Sequence, residues 1–165
     1  MLRHLLITAG MALSAAATAQ AGTKAAIFPV ELDDVSIEGE VAGARTDETR
    51  RLALVTDELR KLAGDAGYEP VDLGKVGPDI VRAAPLYKCN GCDAELAHRA
   101  GARVAITGVV RKVSGLILKM FVFVREADSG TIAKAYQVDI KGNTDETWLR
   151  GMRYIVSNGL TETKR

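Results

Sequence analysis

The spacing of apolar residues changes along this chain, and each change predicts a new element. An apolar run over residues 25–32 predicts a first strand, and the acidic, glycine-containing residues 33–43 predict an exposed loop. From Thr46 the apolar positions recur every three or four residues, which is the spacing of one helix face. Thr46 and Asp47 are both suitable N-caps for this helix. Its predicted buried face carries Leu52, Val55, Leu59 and Leu62.

Shorter elements are expected in the middle of the chain. A strand is predicted over residues 68–73, and a single helical turn over residues 80–84. Asp93 is a suitable N-cap for a short helix, and Gly101 is a suitable residue to end it. The order so far is therefore a strand, a helix, a strand and two short helical segments.

The second half of the chain contains three predicted strands in succession. Residues 103–113 are rich in valine and isoleucine, residues 116–126 are apolar on both faces, and residues 132–140 alternate between apolar and polar. A turn signal at Asp128-Ser129-Gly130 joins the last two strands, so we expect an antiparallel meander. Because the middle strand is apolar on both faces, we expect it to be covered on both sides.

A final helix is predicted from Asn143, where a capping-box-like pattern begins, to Gly159. Strands first alternate with helices and then follow one another. This order predicts an α/β (α+β) fold, with a single mixed β-sheet, an antiparallel C-terminal meander and helices packed against the sheet. Residues 22–165 contain no linker-like stretch and are expected to form one domain. The core stripe of the last helix is Trp148, Met152 and Ile155.

Two prolines bear on the order of the strands. Pro29 and Pro70 fall within the first and second predicted strands. Because proline has no backbone N–H to donate, each indicates an edge strand or a strand end. We expect these two strands to lie at the edges of the sheet, where a partner would bind.

The first 21 residues have the pattern of a secretory signal peptide. Arg3 and His4 precede an apolar run over residues 5–17, and Ala19-Gln20-Ala21 provides a small-residue cleavage site. The run is shorter than the roughly 20 apolar residues that cross a bilayer, and no later stretch reaches that length. No cysteine near the cut offers a lipid acceptor. We therefore expect residues 1–21 to be removed and the rest to be soluble and exported, in a Gram-negative host to the periplasm.

Composition and motifs narrow the classes of function. The chain has 165 residues with 22 Lys+Arg, 21 Asp+Glu and a formal net charge of +1, so no nucleic-acid partner is expected. The acidic stretch from Glu31 to Glu40 does not have EF-hand spacing. No Gly-x-Ser-x-Gly pattern and no glycine-rich phosphate loop occurs. The sequence therefore predicts no catalytic residue, no cofactor and no metal site, and we do not expect an enzyme.

Cys89-Asn90-Gly91-Cys92 carries the most chemical content, and it has four interpretations. Haem attachment requires a histidine directly after the second cysteine, where Asp93 stands. Thiol–disulfide exchange is favoured by the neighbouring helix N-terminus, but Asp93 opposes a thiolate and no proline follows the motif. A metal site would need His98 and a further ligand beside the cysteines. We prefer a structural disulfide between Cys89 and Cys92 in an oxidising compartment, with redox and metal roles as open alternatives.

Four stretches of the chain have distinctive residue combinations, namely Phe28-Pro29-Val30-Glu31-Leu32, Cys89-x-Gly91-Cys92-Asp93, Thr107-Gly108-Val109-Val110-x-Lys112-Val113-Ser114 and Gly142-Asn143-Thr144-Asp145-Glu146-x-Trp148. In these stretches the chain resembles an exported proteobacterial family of unknown function. Members of that family are similar to proteins found near genes of methanol- and alcohol-oxidising quinoproteins, so the resemblance implies a pathway but no particular activity. The order of elements also resembles the amino-terminal domain of TolB and outer-membrane accessory proteins of the LpoB type, which implies a fold.

These observations favour a periplasmic accessory or binding protein without enzymatic activity. We expect a periplasmic protein as its partner, and the resemblance implies an association with a quinoprotein alcohol-oxidation system. The alternative is a thiol–disulfide redox or electron-transfer helper in which Cys89 and Cys92 are the active pair. A reduction potential below about −300 mV is typical of a structural disulfide, whereas a working oxidant has a much higher one.

Overall fold

The structure is a computed structural model that describes residues 22–160; the predicted signal peptide and residues 161–165 lie outside the described residues. No helix within this range has the length and apolar character of a membrane span. The strands are β1 (Thr23–Ile27), β2 (Glu31–Asp34), β3 (Tyr68–Pro70), β4 (Val104–Lys112), β5 (Ile117–Glu126) and β6 (Ile132–Lys141). The α-helices are α1 (Ile37–Ala42), α2 (Thr46–Asp65), α3 (Gly77–Ala83), α4 (Cys92–Arg99) and α5 (Asp145–Ile155).

The described strands form one mixed sheet in the order β3-β1-β4-β5-β6. β1 pairs in parallel with β3 and β4, and β2 pairs in parallel with the far half of β4. β4, β5 and β6 are antiparallel neighbours. The predicted fold class is confirmed, since the sheet is mixed, its C-terminal strands form an antiparallel meander and the helices pack against it.

α2 and α5 cover one face of the sheet and form the main core with it. α2 contributes Val55 and Leu59, and α5 contributes Trp148 and Met152, all of them fully buried. The apolar stripes predicted from the sequence therefore coincide with the core. The strand residues in this core include Val104, Ile106, Val110, Leu118, Met120, Val122 and Val124.

The second face of the sheet is covered over only part of its width. α4 and the segment before it form a smaller core with β1 and β4. On β5, however, Phe121 and Phe123 are half-buried and Ile117 is exposed. The prediction that this strand is covered on both sides is wrong, because α4 reaches β5 only near Arg125. We call this uncovered side of β4, β5 and β6 the open face.

The first predicted strand is two strands that are separated at Pro29. β1 lies between β3 and β4, so the interpretation as an edge is wrong for β1, and Pro29 follows its end instead. Among the described strands β2 pairs with β4 alone. β3 includes Pro70 and is an edge strand, as predicted. The edge opposite β3 is β6, which contains no proline.

The stretch predicted as an exposed loop contains the end of β2 and the whole of α1. Asp33 is buried, because pairing with β4 carries it into the sheet. Ser36 is the N-cap of α1. The loop prediction is wrong because α1 has only six residues, which is too short for a periodic pattern to be recognised in the sequence.

Helix starts also differ from the predicted positions. The N-cap of α4 is Gly91, with a φ of 112°, and Asp93 lies in the first turn instead. The N-cap of α5 is Thr144 rather than Asn143, and Arg45 precedes α2. In each case the helix itself is where the apolar spacing predicts it, so the error is limited to the terminal residues.

Candidate binding surface

The ends of three strands bring exposed apolar side chains into one row at the far end of the sheet. β2 pairs with β4 as far as Asp34 and Lys112, and the next N–H, that of Val35, donates to the Lys112 carbonyl at 2.9 Å. The Val113 N–H donates to the Ile117 carbonyl at 3.0 Å across the β4–β5 turn. Val35, Val113 and Ile117 therefore lie side by side, and each is at least half exposed.

α1, which follows β2, and the β4–β5 turn carry further exposed apolar side chains at this end of the sheet. Ile37 and Val41 are one helical turn apart on the same side of α1, and no residue of α1 is buried. Leu116 is exposed at the tip of the turn. We call these residues together the apolar end surface: Val35, Ile37, Val41, Val113, Leu116 and Ile117.

Hydrogen bonds fix the position of α1 beside β2. The Asp34 carboxylate accepts from the Ser36 N–H at 3.0 Å and from the Ser36 hydroxyl at 2.5 Å. The Ser36 hydroxyl in turn accepts from the Gly39 N–H at 3.0 Å. A Cβ on Gly39 would overlap the Asp34 carboxylate, so only glycine allows this approach. The polar start of α1 is held against β2, and its apolar residues remain exposed.

A row of charged side chains follows the apolar end surface on the open face. Arg111 Nε lies 2.7 Å from the Asp33 carboxylate, and Lys119 Nζ lies 3.3 Å from Asp139. The Tyr87 hydroxyl donates to Asp33 at 3.0 Å, and burial together with this hydrogen bond raises the pKa of Tyr87. Because each carboxylate in this row has a cation beside it, the row carries little net charge.

A buried ion cluster lies next to the apolar end surface, on the helix-covered side of β4. Lys112 Nζ is 2.8 Å from Glu48 and 3.0 Å from Asp34, and the Lys112 and Glu48 side chains are 3% and 1% exposed. Asn143 donates to the same Glu48 oxygen at 2.6 Å. The second Glu48 oxygen has no hydrogen-bond partner among the described residues.

The titration of this cluster reflects its hydrogen bonds. Burial alone would lower the pKa of Lys112, but the hydrogen bonds to Glu48 and Asp34 outweigh it, and the pKa is raised. Burial alone would raise the pKa of Asp34, but hydrogen bonds from Ser36 and Lys112 hold it below its ordinary value. Both groups are therefore charged at neutral pH, and each depends on the other.

The Gly-Asn-Thr-Asp-Glu stretch joins α5 to α2. Arg51 Nε donates to Asp145 at 3.0 Å, and Arg51 Nη1 donates to Asn143 at 3.1 Å. Arg50 donates to both oxygens of Asp145, at 2.7 and 2.8 Å. These hydrogen bonds, that from Arg50 above all, lower the pKa of Asp145. The polar side chains of the stretch thus fix the start of the helix that carries Trp148 into the core.

Cys89 and Cys92 lie at the start of α4, with their sulfur atoms at disulfide distance and their Cα atoms 5.6 Å apart. Cys92 is the first residue of the helix. Asn90 and Gly91 between them have φ values of 50° and 112°, so the chain turns sharply in the left-handed region. A compact loop of this kind brings two cysteines together without help from the rest of the sheet.

Acidic residues anchor the chain on both sides of the cysteine loop. The Glu31 carboxylate accepts from the Leu86 and Tyr87 N–H groups at 2.9 and 3.1 Å. Beyond the loop, the buried Asp93 carboxylate lies 3.2 Å from Arg125 Nε on β5. The loop is therefore held to β2 on one side and to β5 on the other, which is an arrangement suited to a structural crosslink.

The other residues that the sequence offers as candidates remain apart. His98 lies on the exposed side of α4, 3.5 Å from the Asp128 carboxylate. Glu31 and Asp33 from the acidic stretch are engaged in the contacts described above. Within residues 22–160 no group of three or more His, Cys, Asp or Glu side chains is arranged to hold a metal ion.

Replacing both cysteines by serine tests their structural role. Closing a loop of four residues contributes about 2 kcal/mol through the entropy of the unfolded chain. We expect the Cys89→Ser, Cys92→Ser protein to fold, with its free energy of unfolding in urea lowered by that amount, and to keep its partner binding. Unchanged stability together with complete loss of function in the cell would instead indicate a redox role.

Solved structures of low sequence identity share this fold. The LpoB C-terminal domain from Escherichia coli is 14% identical, with a TM-score of 0.52, over 76% of this chain and 87% of that chain. Lipoprotein GNA1162 from Neisseria meningitidis is 12% identical, with a TM-score of 0.51, over 82% and 96%. The hypothetical protein CT253 from Chlamydia trachomatis is 13% identical, with a TM-score of 0.50, over 84% and 95%. The LpoB-like fold expected from the sequence is confirmed, and at these identities the likeness concerns the fold alone.

Comparison with curated proteins gives no match. A family model does match, over residues 23–160, and this range includes all strands and helices described above. The family is DUF3280, which is described as "Protein of unknown function (DUF2380)". Because the match extends over far more than half of the sequence, the chain belongs to this family of unknown function.

Proposed function

We propose that this chain is an exported accessory protein that binds a partner protein through its apolar end surface and catalyses no reaction. The apolar end surface is the observation that carries the proposal. Val41 is 83% exposed and Leu116 74%, although both lie on elements fixed by hydrogen bonds. A group of exposed apolar side chains at one end of a well-packed domain supports a protein–protein contact there.

The charges around this surface favour a protein over a membrane as the occupant. α1 carries Glu38 and Glu40 beside Ile37 and Val41, and it contains no basic residue. Anionic lipid headgroups would be repelled by these acids, since peripheral membrane binding relies on lysine and arginine. A partner surface with an apolar centre and a basic rim complements the apolar end surface in both respects.

Export to the periplasm is part of the same proposal. It is supported by the signal-peptide pattern of residues 1–21, with a mature chain from Gly22. It is also consistent with a cysteine pair at disulfide distance, because disulfides persist in that compartment. A partner in a quinoprotein alcohol-oxidation system is the more specific form of the proposal, and it rests on the resemblance of the sequence.

Crosslinking in living cells tests the proposed surface. A photoreactive amino acid at Val41 or Leu116 is expected to capture the same periplasmic protein from both positions. Val81 on α3 is the matched control, because it is an apolar residue of similar exposure, 78%, on another part of the domain. Capture of that protein from Val81 as readily as from Val41 would contradict the proposed surface.

Binding of the captured protein in purified form provides the quantitative test. Leu116→Asp places a charge within the apolar end surface, and we expect at least a tenfold loss of affinity. Val81→Asp introduces the same charge outside it and should leave the affinity within twofold. Equal losses in the two variants, measured by calorimetry, would place the contact elsewhere.

The alternative function is a redox helper that uses Cys89 and Cys92. The anchored loop favours the structural role, because an exchanging pair must open to a second thiol during its reaction. The reduction potential distinguishes them: a structural pair is expected below about −300 mV. The redox helper is therefore the second candidate, and the binding protein is preferred.

A further inference from the structure

β6 is a long edge strand whose outer side pairs with none of the described residues. Its backbone orientation follows from one hydrogen bond, in which the Gly142 N–H donates to the Leu116 carbonyl at 3.0 Å. Orientation alternates along an antiparallel ladder, so even-numbered residues from Lys134 to Ile140 direct their N–H and C=O groups toward β5. The residues that direct these groups away from the sheet are Ala135, Gln137, Asp139 and Lys141.

A groove follows this edge on the helix-covered side. It is about 330 Å³ in volume and lies between β6 and the outward side of α5. Val138 and Ile140 line it from the strand, while Gly151 and the ring of Tyr154 line it from the helix. Arg150 is at its rim, and only a loose contact of 3.7 Å connects it to Glu146.

The position of α5 decides what kind of chain can pair with β6. A Cβ on Gly151 would lie 3.0 Å from Ile140 Cδ1 and 3.5 Å from Val138 Cγ1, so α5 runs directly over β6. Paired strands are about 4.8 Å apart, whereas packed helices need 8–10 Å. A second copy of this domain that paired antiparallel through its own β6 would have its α5 on the same side of the joined sheet, in the space that the first α5 occupies. A single extended segment without a covering helix has no such conflict.

We infer that β6 binds an extended segment of a partner protein as an additional strand, with alternate side chains of the segment in the groove beside α5. The backbone of the segment pairs with Ala135, Gln137, Asp139 and Lys141. Its groove-facing side chains are apolar where they meet Val138 and Tyr154, and one is acidic where it meets Arg150. Hydrogen bonds to the four outward-facing backbone positions provide the affinity, and the groove determines which peptide sequences bind.

This inference goes beyond the proposed function, because it concerns a different surface and a different chemistry from the apolar end surface. Substitutions on the two surfaces can be tested separately. A failure to bind segments at β6 therefore leaves the crosslinking result at Val41 and Leu116 unaffected, and the reverse also holds.

A phage-displayed library of random twelve-residue peptides, selected on the purified domain, is the probe. We expect enrichment of peptides that alternate apolar residues and carry one acidic residue. The affinity of an enriched peptide should fall at least tenfold for Gln137→Pro. Proline at this position removes an outward N–H and leaves the ladder to β5 complete, because an edge strand tolerates proline where the N–H faces solvent.

Two variants control for other effects of the substitution. Gln137→Ala removes the side chain but keeps the N–H, and it should bind the peptide within twofold of the wild type. Val138→Pro removes an N–H that faces β5, and it should unfold at a lower temperature than Gln137→Pro. If Gln137→Pro and Gln137→Ala bind the peptide equally well, strand addition at β6 is wrong.

N-methylation of the peptide gives a second readout that does not depend on the folding of any variant. Only every second N–H of an added strand faces β6. Methyl groups placed on successive peptide nitrogens should therefore reduce affinity with a period of two residues. A pattern without this period, or a library that yields no enriched peptide, would overturn the inference.

Discussion

Replacing Lys112 by methionine is expected to lower the free energy of unfolding by about 3–5 kcal/mol, which is the usual cost of removing one partner from a buried ion pair. The Lys112 ammonium compensates Glu48 and Asp34, and the Glu48 side chain is only 1% exposed. Methionine fills a similar volume but leaves both carboxylates without their cation. Urea denaturation followed by circular dichroism measures the loss.

Lys119→Met is the matched control for this prediction. Lys119 lies on the neighbouring strand β5, where its side chain is 39% exposed and 3.3 Å from Asp139. Exposed pairs of this kind contribute about 0–1 kcal/mol, so we expect little change. If Lys112→Met lowered the free energy of unfolding no more than Lys119→Met does, the buried cluster would not be a stabilising feature of the fold.

The pH dependence of stability gives the same pair a second signature. The pKa of Asp34 is held below its ordinary value of 3.8 in the folded protein. The ionised Asp34 carboxylate therefore stabilises the fold above pH 3.8, and this stabilisation is lost as pH falls through the folded pKa. The pKa of Lys112 is raised above 10.5, so its contribution is complete below that value and is lost as pH rises through the folded pKa. The deficit of Lys112→Met should therefore be largest between about pH 5 and pH 10, and smaller in acid.

The buried cluster could have been predicted from the sequence, because its charged residues occupy positions that belong to apolar stripes. Lys112 is in step with the inward strand residues Ile106 and Val110, and Glu48 lies one helical turn before Leu52 and in step with Val55. A lysine and a glutamate that both continue apolar stripes indicate a buried pair, because neither charge is buried alone.

Other features depend on contacts that no local pattern reveals. Ile132 continues the alternation of Tyr136 and Val138 in sequence, yet a bulge opposite Val124 and Arg125 places it on the open face. The bulge adds one residue to one strand and so reverses the side of everything beyond it. The exposure of β5 likewise depends on where α4 ends, which the apolar spacing of β5 itself does not determine.

The sequence predicts best the elements that have one buried side and an apolar pattern repeated over several turns. α2 and α5 each carry an apolar stripe that repeats over several turns, and both stripes lie in the core. The apolar end surface could not be predicted in this way, because it combines residues from the end of β2, from α1 and from the β4–β5 turn. Its members are separated by up to about 80 positions in the chain, and only the sheet register brings them together.

Trp148→Ala is expected to destabilise the domain by about 3–5 kcal/mol, as large truncations in a packed core do. Trp148 is fully buried, and the Gly-Asn-Thr-Asp-Glu stretch places it at the start of α5 against the meander. Its indole N–H has no hydrogen-bond partner among the described residues, so the stabilisation comes from packing. Trp148→Phe should therefore recover much of the loss, because it keeps an aromatic ring and removes only the unpaired N–H and part of the volume.

Tyr154→Ala, on the exposed side of the same helix, controls for helix propensity and should change the urea midpoint little. A midpoint for Trp148→Ala as close to wild type as that of Tyr154→Ala would contradict the role of this tryptophan in the core.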